Sequence, residues 1–222
     1  MGGINSQMLL QHLLKLPGDR YLCKKVIQNY SMDPKIAANI TASIAVKQQI
    51  LEDQDFLRRI SAAVDVVAGA FREGHKVWFC GNGGSAADAQ HLSAEFSGRF
   101  YKNRKALPSE ALHCNTSYLT AVANDYSYDA VYARLVDGWC EKGDVLIALS
   151  TSGNSKNIIN AIEAARQLGV ITIGFTGAGG GEMKTACDHL LNVPSVDTPR
   201  IQESHIMIGH IICELVEARI FG

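Results

Sequence analysis

Residues 76–97 read KVWFCGNGGSAADAQHLSAEFS, and this stretch decides the fold class. The apolar run 76–80 has the composition of a buried strand. Gly81-Asn82-Gly83-Gly84-Ser85 breaks it, and a helical candidate follows over 85–97. The same order recurs toward the C-terminus. Apolar runs at 109–114, 144–149, 170–175 and 189–193 alternate with helical candidates at 116–123, 127–140, 155–168 and 200–220. That alternation predicts an α/β fold, a parallel sheet covered by helices on both faces. Ligands of such sheets bind at the carboxyl ends of the strands, beside the switch in strand order. The loops after 76–80 and 144–149 are therefore the places to look for chemistry.

Toward the N-terminus the pattern is helical. Residues 5–16 carry apolar positions near a 3.6 spacing, and Pro17-Gly18 ends that segment. A second stretch covers 19–30, and Asp33-Pro34 opens another helix with proline in its first turn. Over 55–73, Phe56, Ile60, Val64, Val67 and Phe71 form one stripe. Two parts are expected: a helical N-terminal segment, 1–73, belonging to the same unit, and a sheet-containing domain, 74–222.

Composition narrows the class. With 222 residues, 47% hydrophobic and 19% charged, the chain is long enough for one sizeable core and too apolar for disorder. A net charge of −1 without charged blocks argues against a nucleic-acid-binding face. No run of eighteen apolar residues exists, so no membrane span is expected. The N-terminus lacks the pattern of a secretory leader, so a cytoplasmic location is expected. The six cysteines lack Cys-x-x-Cys spacing and mostly lie in apolar runs, which predicts buried thiols rather than disulfides or a thiolate metal site.

Two loops carry candidate chemistry. Ser150-Thr151-Ser152-Gly153-Asn154-Ser155 follows a strand and opens a helix, so hydroxyls, backbone N–H groups and the positive helix end converge there as a phosphate cradle. A plain reading makes Asn154 or Ser155 only a helix cap. In the 81–85 loop the glycines allow close backbone approach, and Ser85 with Asp88 fits a capping box. Gly177 to Gly181 reads as a flexible connection. His91 and Glu95 lie about 40° apart on one helix and can face a common point. In the last helix Gln202 and His210 are about 80° apart over two turns. Periodicity does not single them out over His205, and a core role for one of these histidines stays open.

The runs GNGGSAADAQHLSAEFSGRF, VAND at 122–125, STSGNS at 150–155 and RIQESHIMIGH at 200–210 resemble the phosphoheptose isomerases, enzymes of the sugar isomerase (SIS) domain class. The resemblance covers roughly residues 35–220. It implies a five-stranded parallel sheet between helices, with the helical N-terminal part serving assembly of a homotetramer whose active sites lie between subunits. It implies conversion of sedoheptulose 7-phosphate to D-glycero-D-manno-heptose 7-phosphate for cell-envelope sugars. One zinc ion per subunit is expected on the positions of His91, Glu95, Gln202 and His210. Family substrate contacts fall on Asn82, Gly83, Gly84, Glu95, Asn124, Asp125, Ser150, Thr151, Ser152, Ser155 and Gln202, with Arg99 matching a retained arginine. The chain departs in having Thr198-Pro199 where some members carry an acidic residue, Ala86 and Ala87 where some carry His and Cys, and about 30 extra N-terminal residues.

An aldose–ketose isomerisation through an enediol needs one group for a carbon-bound proton and another for the oxygens; Glu95 and His210 fit these roles. A glutamate that both holds a metal and takes a proton is in conflict, because the ion favours its charged form. The alternatives are a non-catalytic SIS protein like the DnaA initiator-associating protein, which lacks counterparts of Glu95 and His210, and an isomerase or sensor of another phosphosugar.

Overall fold

The computed structural model describes residues 33–222. The helices expected at 5–16 and 19–30, and Cys23, lie outside the described residues. The chain divides into two compact units, Met1–Thr41 and Ala42–Gly222. Of the first, residues 33–41 are described: Asp33 accepts from the Lys35 N–H at 2.9 Å and opens helix α1, Pro34–Glu52, at the expected proline.

In the second unit a short break at Asp53 separates α1 from α2, Gln54–Arg72. The Asp53 carboxylate caps α2 by accepting from the Phe56 N–H at 2.9 Å. The predicted stripe Phe56, Ile60, Val64, Val67 and Phe71 is buried throughout. Five strands follow: β1 Val77–Gly81, β2 Ser109–Ala111, β3 Val145–Leu149, β4 Ile171–Thr176 and β5 His189–Asn192. All pairs are parallel in the order β2-β1-β3-β4-β5, with Val77 opposite both Ser109 and Val145. Between them run α3 Gly84–Ser97, α4 Thr116–Asp125, α5 Val131–Trp139, α6 Lys156–Leu168, the short α7 Met183–Ala186 and α8 Thr198–Phe221.

Strand alternation divides the core. Val77, Phe79, Val145, Ile147 and Leu149 face one layer, which α2, α3 and α8 close with Val67, Phe96 and Ile212. Trp78, Cys80, Leu146 and Ala148 face the other, closed by α5 and α6 through Val136 and Ile162. Both faces are covered by helices, as continuous apolar strands require.

Two expected elements differ. The run 109–114 is a strand only to Ala111: it is the sheet edge, and after the Leu112 N–H bonds to Phe79 at 2.9 Å the chain turns away. The helix expected over 127–140 opens with a tight turn, Tyr128–Ala130, before α5. Among the described residues the cysteines are free, with Cys80, Cys140 and Cys213 buried, Cys187 half-buried and Cys114 exposed. The strand order reverses between β1 and β3, which places the loops after them side by side at the carboxyl edge of the sheet.

Candidate active site

The glycine turn after β1 is shaped by what lies against it. A Cβ on Gly84 would sit 2.5 Å from the Gln202 carboxamide nitrogen, so the bare glycine is what lets the Gln202 side chain lie over the start of α3 as it does. Helix α3 starts there, with Gly83 as its cap residue and no side-chain cap bond. The capping box expected from Ser85 and Asp88 does not form, because both residues already lie inside the helix. Asp88 instead buries a carboxylate oxygen without a partner; burial raises its pKa, and nearby His91 pulls it back only in part. Asn82 exchanges two amide hydrogen bonds with Asn157, both 2.9 Å, and accepts from the Tyr128 hydroxyl at 3.3 Å. The Tyr132 hydroxyl donates to the Gly81 carbonyl. The Asn157 bonds stitch the turn after β1 to the first turn of α6, and the two tyrosines tie it to the segment that opens α5.

Helices α3 and α8 touch where a Cβ on Gly209 would lie 2.4 Å from Leu92. This close approach sets their neighbours side by side: His210 Nε2 is 3.3 Å from His91 Nε2, which is 3.1 Å from Glu95 Oε1. The ligand atoms of all three lie within 4.8 Å of one another. The two separations at His91 match the edge, about 3.3 Å, of a tetrahedron with metal–ligand bonds of about 2.0–2.1 Å, and the third ligand pair lies within 4.8 Å. The donor set and its spacing therefore fit a divalent ion such as zinc. Gln202 stands two turns before His210 on α8, with its carboxamide over Gly84.

The serine loop after β3 is a second cluster. Ser150 is buried, with its hydroxyl 3.0 Å from that of Ser155 and 3.4 Å from that of Ser152. Ser155 occupies the cap position of α6, yet its side chain makes no cap bond; it turns toward Ser150, so capping alone does not explain it. Asn154 is not the cap: its carboxamide oxygen accepts from the Glu182 N–H at 2.9 Å. Gly153 has φ +68°, and a Cβ there would lie 2.1 Å from the Gly180 carbonyl oxygen. The Met183 N–H bonds to Gly153 at 3.1 Å and the Gly177 N–H to Thr151 at 3.0 Å. Residues 177–181 thus differ from the flexible connection expected of them: they are packed against the serine loop and hold it. A cleft of about 260 Å³ opens between the two, lined by Thr151, Ser152, Gly177, Ala178, Ser195 and Ile201.

The remaining candidates stand at the surface. Arg99 is exposed on the loop after α3, and Asn124 and Asp125 are exposed at the end of α4, where the Asn124 amide donates to Asp125 at 2.9 Å. Among the described residues no hydrogen bond or ion pair joins these three to the histidine cluster. The loop bearing Arg99 is nevertheless fixed. Glu217, buried in α8, accepts the N–H groups of Phe100 (3.1 Å), Tyr101 (2.8 Å) and Lys102 (2.8 Å), and pairs with Arg104 at 2.9 Å. Burial alone would raise its carboxyl; these donors outweigh it and hold the pKa below the usual range. Arg104 also donates to the carbonyls of Glu95 (2.8 Å) and Phe96 (2.7 Å), closing the end of α3 that carries Glu95.

Sequence reasoning missed Arg104, Glu217 and Asn157. The last had a signal: a polar residue one position before the buried Ile158, where the inner face of α6 begins. His205, left open by periodicity, is turned into the core, 3.1 Å from the Thr176 carbonyl.

Comparison with known proteins agrees with this geometry. A family model for the SIS domain matches residues 39–177. The phosphoheptose isomerase of Clostridium acetobutylicum is 53% identical over 84% of this chain and 95% of its own length. That of Aneurinibacillus thermoaerophilus is 50% identical over 86% of this chain and 96% of its own. The structure of phosphoheptose isomerase from Neisseria gonorrhoeae superimposes with a TM-score of 0.79 at 38% identity, covering 83% of this chain and 98% of that one. The chain belongs to the phosphoheptose isomerases of the SIS-domain family.

Proposed function

We propose that the protein isomerises sedoheptulose 7-phosphate to D-glycero-D-manno-heptose 7-phosphate through an enediol, supplying heptose for cell-envelope sugars. The observation that carries this reading is the convergence of His91, Glu95 and His210 at the switch point, one strand away from a loop of three serine hydroxyls. A non-catalytic member of the fold has no use for a paired carboxylate and imidazole there.

The serine loop and the start of α6 hold the phosphate, through the hydroxyls of Ser150, Ser152 and Ser155 and the free N–H groups of the helix end. Holding that remote end sets the carbonyl end of the open-chain sugar against the histidine cluster. Glu95 takes the proton from the carbon next to the carbonyl and returns it to the neighbouring carbon, so the two faces of the reaction share one base. His210 gives a proton to the carbonyl oxygen as the enediol forms and takes one from the adjacent hydroxyl as it collapses. His91, Glu95 and His210, with Gln202, would hold one zinc ion per subunit; when bound, zinc polarises the two substrate oxygens. Its charge would oppose the basicity of Glu95, so the roles of ligand and of base at carbon compete at this one carboxylate.

A homotetramer with sites shared between subunits completes the reading. Its support is the outward position of Arg99, Asn124 and Asp125 together with the exposed Ile36, Ile40, Ile44 and Leu51 of α1. No described helix is long and apolar enough to cross a membrane; the cytoplasmic location belongs to the same proposal, supported by the phosphorylated substrate.

The test is an NMR or coupled assay of the purified, zinc-loaded protein with sedoheptulose 7-phosphate. Glu95→Gln and His210→Ala should each reduce kcat by about 10²–10⁴-fold while the fold persists. Near-native turnover in either variant, or none in the native protein with zinc bound, would sink the assignment.

A further inference from the structure

His205 belongs neither to the histidine cluster nor to the serine loop, yet it joins the elements that carry them. It lies on α8 between Gln202 and His210 and is fully buried. Its Nε2 is 3.1 Å from the Thr176 carbonyl oxygen. A carbonyl only accepts, so Nε2 carries the hydrogen and Nδ1 keeps a lone pair. That Nδ1 is buried without a partner. The ring stands edge-on to Phe175, centroids 5.6 Å apart at 88°. Burial pushes its pKa down to about 4, against the weaker upward pull of the bond to Thr176, so the ring is neutral at pH 7. An imidazole with an orphaned nitrogen is a costly way to fill a core position. What it gains there is the single bond to Thr176.

Thr176 is the last residue of β4, and its carbonyl also accepts the Val193 N–H at 2.9 Å. On either side of it the chain grips the serine loop: the Phe175 carbonyl accepts the Ser150 N–H and the Gly177 N–H donates to Thr151, both at 3.0 Å. Gly177 has no room to yield, since a Cβ there would lie 2.6 Å from Ile201 and 2.9 Å from the Thr151 carbonyl oxygen. One hydrogen bond therefore ties the helix presenting Gln202 and His210 to the strand end that shapes the serine loop.

We propose that His205 is a positioning residue, whose Nε2–H fixes the Thr176 carbonyl and through it the span between the Ser150–Ser155 loop and the Gln202/His210 face of α8. The inference rests on the proposed reading of that loop as the phosphate grip. His205 does not touch the substrate; it sets the distance that a phosphosugar must bridge.

Three variants of the zinc-loaded full chain test this. His205→Gln keeps an N–H donor at similar reach, His205→Asn withdraws the amide by one methylene, and His205→Leu removes the donor. Steady-state kinetics with sedoheptulose 7-phosphate are read alongside inhibition by inorganic phosphate. The Asn and Leu variants should lose about tenfold to a hundredfold in kcat/KM, with KM raised and phosphate inhibition weakened together, as misplacement of about 1 Å does. The Gln variant should recover most of both. If Leu fails to fold, the Gln–Asn contrast decides alone. Equal losses in Gln and Asn, native values in all, or a fall in melting temperature with KM and phosphate inhibition unmoved would overturn the proposal. Absence of native turnover would instead defeat the proposed reaction, and phosphate binding by calorimetry would still separate Gln from Asn or refute the positioning role.

Discussion

Burial gives several single residues a pH signature. The folded chain keeps His205 neutral down to about 4, whereas a histidine in the unfolded chain takes a proton near 6.5. Burial also lowers His113. Between these values the unfolded state binds more protons, so stability falls as pH drops through that window. Glu217 acts in the same sense lower down: its depressed carboxyl contributes stability above its unfolded pKa, lost as pH falls through the folded one. Asp88, raised by burial, works in the opposite sense and offsets part of the loss. Denaturant midpoints measured from pH 7.5 to 4.5 should therefore decline steadily, and His205→Gln should flatten the upper part of the decline. A midpoint that rises on acidification would contradict this. Arg104 is the other residue whose loss reaches beyond itself. Replacing it with Met leaves Glu217 buried with three backbone donors but no counter-charge, and frees the carbonyls at the end of α3. A loss of about 3–5 kcal/mol in chemical denaturation is expected.

The elements themselves were largely legible. Apolar runs and glycine breaks located all five strands, and the stripe from Phe56 to Phe71 located α2, because burial on one or two faces writes its period into the chain. Failures came where local chemistry was overruled by neighbours. Ser85 and Asp88 have capping-box spacing, but the backbone enters α3 earlier, at Gly84, with Gly83 as the cap residue and the Gln202 carboxamide against the first turn. Residues 177–181 look flexible by composition and are held by Gly153 and Thr151, contacts of no local origin. The histidine cluster shows the same division. Spacing along α3 placed His91 and Glu95 on one face, yet the arrival of His210 depends on the crossing at Gly209 and Leu92. Gly209→Val should force α3 and α8 apart, destabilise the fold by about 1–3 kcal/mol as overpacking does, and weaken zinc binding in chelator competition. Unchanged zinc affinity would mean that His210 does not depend on this crossing.

At the scale of the whole molecule, one chain brings together the metal-type ligands and the serine loop but leaves other expected contacts facing outward. His91, Glu95 and His210 meet without help from a neighbour. Arg99 and the Asn124–Asp125 pair do not reach them, although the Arg99 loop is anchored firmly by Glu217. A rigid loop that holds an arginine at the surface is suited to a neighbour's site. The exposed side chains of α1 supply apolar surface for such an assembly, with Ile44 60% and Leu51 61% exposed. These two facts separate metal binding from turnover. Replacing Ile44 and Leu51 together with Glu should shift the proposed tetramer to smaller species in light scattering. It should leave about one zinc per chain, since the ligands come from one chain. If the proposed sharing of sites between subunits holds, turnover should fall with the tetramer fraction. Full activity in the dissociated species would show that each chain carries a complete site; loss of zinc together with assembly would show that the metal, too, depends on the neighbour.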